Sequence, residues 1–152
     1  MNLSEHFTLT EFTKSAEAIR KGIDNTPIDK DIRNMILLCE NVLEPARAHF
    51  NKPIIVNSGY RSIELNEEVG GSRTSQHCFG QAADFEIMGI SNYDLAEWIA
   101  LNTQFDQLIL EYYKPGILNS GWVHCSFVGI NQNRHQCKTT SDGKNYLPGL
   151  IK

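Results

Sequence analysis

No stretch of the chain is apolar over the length a transmembrane helix needs, so membrane insertion is not expected. No basic tract appears either, and a formal net charge of -4 with a pI near 5.7 argues against nucleic acid as a partner. The four cysteines (Cys39, Cys78, Cys125, Cys137) form no C-x-x-C pair and no regular framework, so reduced thiols are expected. The opening Met1-Asn2-Leu3-Ser4-Glu5-His6 lacks the basic and apolar segments of a secretory signal. The expectation is a chain made in the cytoplasm and held there until another factor releases it. Repeats, linkers and a second-domain boundary are also missing. What is present is 152 residues, 41% hydrophobic and 21% charged, the balance of one soluble globular domain with a real core. Residues 1–28 read as an N-terminal arm and 132–152 as a polar tail, and a monomer is expected.

The chemistry concentrates in Ser75-Gln76-His77-Cys78-Phe79-Gly80-Gln81-Ala82-Ala83-Asp84. A turn at Gly80 lets the chain fold back so that His77 and Asp84 approach one point. On the strand that follows, Ala82, Asp84 and Glu86 share one face, and Ala83, Phe85 and Ile87 take the other. An imidazole and a carboxylate are two of the three protein ligands that a catalytic zinc site usually holds. His124, in Gly121-Trp122-Val123-His124-Cys125-Ser126-Phe127, is the third. Alternation puts Trp122, His124 and Ser126 on one face and Val123, Cys125 and Phe127 on the other. One Zn2+ per chain, at His77, Asp84 and His124, is the expectation. A structural His/Cys zinc site using Cys78 and Cys125 is the weaker alternative, because Cys125 should point away from His124.

The surrounding pattern is α+β. Thr8 or Thr10 caps a short turn that packs Phe7, Leu9 and Phe12. A helix capped by Asp29 runs over 29–50, with Ile32, Ile36, Cys39, Leu43, Ala46 and Phe50 inward, and Pro45 kinks or interrupts it near its end. His49 near its end is expected to be exposed. Pro53–Asn57 reads as a strand, Ser62 as the cap of a brief helix, and Gly70-Gly71-Ser72 as a break. Ser91 caps a helix carrying Leu95, Ala96, Trp98, Ile99 and Leu101. Residues 105–112 and 121–128 form a hairpin, and an edge strand follows around 135–139. The sum is a small, mostly antiparallel sheet with helices packed on it.

Four motifs in order carry a family resemblance: Ser-Gly-Tyr-Arg-Ser (58–62), Val-Gly-Gly-Ser (69–72), Ser-x-His-x-x-Gly-x-Ala-x-Asp (75–84) and Trp-Val-His-x-Ser (122–126). The set resembles the zinc peptidases of the D-alanyl-D-alanine carboxypeptidase and L-alanyl-D-glutamate endopeptidase family, which share a fold with the Hedgehog signalling domain. Phe-Thr-Leu-x-Glu-Phe (7–12) and Asn-Thr-Pro (25–27) are similar to its short phage and prophage members. The resemblance implies zinc at His77, Asp84 and His124, and peptidoglycan stem peptides or cross-links as substrate. It also implies cell-wall lysis after release through a pore or delivery by a virion.

The sequence departs from that family at one point. Many members carry a catalytic acid three positions before the second histidine, and here that position is Gly121. Glu111, at the end of the first hairpin strand, is the replacement base, with Asp106 and Glu86 as weaker substitutes. Arg61, in Tyr-Arg-Ser, is expected to bind a substrate carboxylate or the oxyanion; without the family, a surface ion pair to Glu64 would be the simpler reading. Ser75, Gln76, Trp122 and Ser126 are further candidates for substrate contact. A zinc- or peptidoglycan-binding module without turnover, as in Hedgehog-like domains, is the alternative function that Gly121 favours.

Overall fold

Six strands form a single sheet in the computed structural model, which describes residues 1–152. They are β1 (Ile55–Ser58), β2 (Ala82–Glu86), β3 (Gln107–Glu111), β4 (Trp122–Ser126), β5 (Gln136–Thr140) and β6 (Leu147–Pro148), in the order β1-β2-β4-β3-β5-β6. Every neighbouring pair is antiparallel except β3 and β5, which run parallel. The helices are α1 (Leu9–Thr13), α2 (Ala16–Lys21), α3 (Asp29–Leu38), α4 (Glu44–Phe50), α5 (Ile63–Glu68) and α6 (Asn92–Asn102). The architecture is the expected α+β one. No helix is long and apolar enough to cross a membrane.

Strand alternation decides what each face does. Ala83, Phe85, Leu108, Leu110, Val123 and Cys125 point into a core shared with Met35, Leu38, Leu43, Leu95 and Ile99. Burying each of the large ones contributes about 1.5–3 kcal/mol. A register slip of one residue would send them all to the wrong face, so the register is strongly fixed. The opposite face is thereby left to Asp84, Ile109, Glu111, Trp122 and His124. Leu3, Phe7 and Phe12 from the first residues are buried in the same core.

Two expectations need correction, and one is met. The helix over 29–50 is interrupted before Pro45, as expected, by a wide turn at Cys39–Leu43, where the Glu44 N–H donates to the carbonyl of Cys39, five residues back. Pro45 explains it: it has no N–H for the Asn41 carbonyl, and its ring crowds that carbonyl. Asp29 is the first helical residue and not the cap. The Ile28 N–H at the cap position donates instead to Asp31 Oδ2, at 3.3 Å. Finally, β5 is not an edge strand, because β6 covers its outer side. Other local readings hold. Thr8, Ser62 and Ser91 accept hydrogen bonds as helix caps, and His49 is exposed, stacked on Trp98 with ring centroids 4.7 Å apart.

Candidate metal centre

The site begins with a tight reversal. Gln76–Phe79 form one short helical turn, started by Ser75 Oγ, which accepts from the His77 N–H at 3.3 Å. Gly80 ends it at φ +70°, and a Cβ there would lie 2.3 Å from the Asp31 carbonyl oxygen. Only glycine combines that backbone angle with that approach. The chain then enters β2, and Asp84 stands directly opposite His124 of β4.

These two constraints bring three ligand atoms together. His77 is 3% exposed, and its Nδ1–H donates to the carbonyl of Gly59 at 2.7 Å. That bond fixes the tautomer and aims Nε2 at Asp84, as a backbone carbonyl on the far nitrogen usually does for a metal-binding histidine. Asp84 Oδ1 lies 3.5 Å from His77 Nε2 and 2.9 Å from His124 Nδ1. One ligand atom from each of the three residues lies within 4.8 Å of the others. A tetrahedral ion with bonds of about 2.1 Å separates its ligand atoms by about 3.4 Å, so the set fits zinc. Burial alone would raise the Asp84 carboxyl, but the charges and hydrogen bonds of His77 and His124 overcome it. They hold Asp84 well below the ordinary carboxylate range. No thiol joins the cluster: Cys125 lies in the core, on the far face of the sheet. The geometry therefore does not support a His/Cys site.

A cleft of about 580 Å³ opens over these ligands. Arg61, Ser75, Gln76, Glu111 and Trp122 line it, together with Gln107, Ile109, Arg134, Lys138 and Tyr146. Arg61 Nη1 donates to Ser58 Oγ at 3.3 Å, while its Nε–H is buried with no acceptor. It has no carboxylate partner, so the expected alternative of an ion pair to Glu64 is not formed. Burial, and next the charge of Asp84, raise the carboxyl of Glu111 above its usual range; His124, the Trp122 indole and Arg61 offset only part of this. Trp122 packs against Tyr112, with ring centroids 5.0 Å apart and planes tilted by 36°.

Two of the expected substrate contacts are already occupied. Gln76 Nε2 donates to Asp106 Oδ2 at 2.8 Å, although the side chain borders the cleft. Ser126 is fully buried and does not border it; its Oγ accepts from the Gln107 N–H at 3.0 Å. The small side chain lets β4 pack closely there, so a substrate contact at Ser126 is a correction to the sequence reading. The substitute bases also fall away. Asp106 is clamped by Arg134, and although burial opposes its ionisation, the hydrogen bonds of Arg134 and Gln76 bring it down to about 2. Glu86 accepts from Asn57 at 3.0 Å, outside the cleft.

Sequence reasoning missed the residue that places Arg61. Asn25 accepts the Ser62 N–H at 2.7 Å and donates to the carbonyls of Thr13 and Tyr60. The only signal was the Asn-Thr-Pro run, which reads as a chain break.

A model of the peptidase M15 family matches residues 5–126. The chain belongs to that family. A segment of 34 residues is also 53% identical to a zinc D-Ala-D-Ala carboxypeptidase of Streptomyces albus G, covering 22% of this chain and 13% of that protein. The match spans only a small part of that relative, and within the family domain His77, Asp84 and His124 form the group that could hold a metal ion.

Proposed function

We propose that this M15 domain is a zinc-dependent hydrolase of peptidoglycan stem peptides or cross-links, with one zinc ion held by His77, Asp84 and His124. The observation that carries the reading is the unpaired Arg61 guanidinium, with its orphaned Nε–H, in the same cleft as the metal cluster and Glu111. Such a group is built to receive a carboxylate, the terminal group or side chain that stem peptides offer. When bound, zinc would supply Lewis-acid polarisation of the scissile carbonyl and a lower pKa for the attacking water.

The rest is done by the protein. Glu111 accepts the proton of the attacking water and returns it to the leaving amine; burial and the charge of Asp84 raise its pKa, the direction that helps it hold the proton between the two steps. Arg61 fixes the substrate by a two-pronged ion pair, and Trp122 walls the cleft beside Glu111. The likeness of residues 7–12 and 25–27 to short phage members favours a role in cell-wall lysis. A metal-holding module without turnover is the second reading, which Gly121 favours by removing the usual acid.

The test is incubation of metal-analysed protein with purified peptidoglycan, reading the released ends by mass spectrometry. New amino termini with one zinc per chain are expected, and their identity separates endopeptidase from carboxypeptidase. Glu111→Gln should retain zinc and lose about 10²–10⁴-fold in kcat, while His124→Ala should lose zinc as well. Zinc bound with no bond cut in sacculi of several wall types would leave the binding-module reading in place.

A further inference from the structure

Cross-strand register lays one row of residues along the floor of the cleft. Ser58 pairs with Asp84, Asp84 with His124, His124 with Ile109, and Ile109 with Lys138. Directly paired residues share a face, and Asp84, His124, Ile109 and Lys138 of this row all line the cleft. Arg61 hangs over Ser58 at one end. Lys138 stands at the other, two strand spacings beyond His124, roughly 10 Å away.

Three basic side chains border the cleft, and their commitments differ. Arg134 is tied to Asp106 through three guanidinium contacts. Arg61 and Lys138 form no ion pair. Lys138 is half-buried, and its Nζ sits 5.8 Å from the centroid of the Tyr146 ring. A ring face orients an ammonium without neutralising it. Tyr146 is itself positioned by the β5–β6 connection, where its hydroxyl donates to the Gly143 carbonyl at 3.3 Å. Between Lys138 and the metal ligands the floor is the apolar side chain of Ile109.

We propose that Lys138, steered by Tyr146, binds a second carboxylate of the substrate, on the side of the metal centre opposite Arg61. The preferred substrate is then an acidic peptide that lies across the strands, with carboxylates on both sides of the scissile amide and an aliphatic stretch over Ile109. This rests on the peptidase reading of the cleft and narrows it. A substrate with a single carboxylate fills the Arg61 end and leaves Lys138 without a partner.

The experiment uses a synthetic stem peptide and derivatives in which each carboxylate in turn is converted to a primary amide. Two amides should raise KM, one at the Arg61 end and one at the Lys138 end; the second by roughly tenfold, the effect of losing a charge-assisted hydrogen bond, with kcat little changed. Lys138→Met should raise KM for the parent peptide by the same factor and abolish the effect of the second amide alone, while Lys138→Arg keeps the discrimination. Equal KM changes across all derivatives in Lys138→Met, or no amide whose effect depends on Lys138, would overturn the proposal. The same peptides are titrated by calorimetry into zinc-loaded Glu111→Gln protein. Lys138-dependent binding without cleavage by the parent protein removes the peptidase reading alone. Cleavage with no Lys138-dependent amide effect removes this inference alone.

Discussion

Gly121 leaves no room for a side chain at its position. Its φ is +65°, and a Cβ would lie 2.0 Å from the Glu111 carbonyl oxygen and 2.5 Å from the Tyr112 carbonyl carbon. Both are backbone atoms that cannot swing aside, so no side chain fits where many family members carry their acid. Glu111 faces the cleft from the neighbouring strand, opposite Trp122 in register, so the carboxylate comes from across the hairpin. Gly121→Asp should therefore fail to supply a second acid. It should instead lower unfolding stability by at least about 2 kcal/mol in urea titration, from the left-handed backbone and the collision together. The meeting of Asp84 and His124 was legible beforehand because two short strands with strict alternation leave little choice of face, and the turn at Gly80 was the signal that returns His77 to them. Asn25 was not legible, because an asparagine that bridges three backbone groups looks in sequence like any turn former.

Between elements, the buried carboxylate of Asp106 ties the start of β3 to the segment that leads into β5. It accepts the Arg134 backbone N–H at 2.8 Å as well as the guanidinium, and the Gln76 amide from the His77 turn. Its pKa is lower when folded, about 2, than the ordinary value of 3.8. Its contribution to stability is thus fully present above pH ~4 and is lost as the pH falls through about 2. Asp106→Asn should destabilise the protein by about 2–3 kcal/mol at neutral pH. The gap from the parent protein should close in acid unfolding curves between pH 4 and 2. The hairpin of β3 and β4 was readable from two β-prone runs around a Pro/Gly turn. The parallel placement of β5 was not, since a crossover strand carries no turn signal that fixes its register. That missing register is why Lys138 did not stand out in sequence as a member of the site.

For the whole molecule, the sheet is a partition with the core on one side and the metal cluster on the other. The apolar face does not depend on the ion, so chelation should leave the protein folded but less stable. Zinc at a hundred times its Kd should add about 2.7 kcal/mol, read as a higher Tm that His77→Ala abolishes. The aim of His77, however, is not set by the sheet alone. Its Nδ1–H is held by the Gly59 carbonyl, and the next amide, that of Tyr60, donates to the carbonyl of Phe12 at 2.7 Å. Asn25 clasps the same loop. The first 28 residues therefore brace one ligand, so order in that arm and metal binding at His77 are expected to favour each other. By reciprocity, zinc should slow hydrogen exchange at the Tyr60 amide, even though that amide touches no ion.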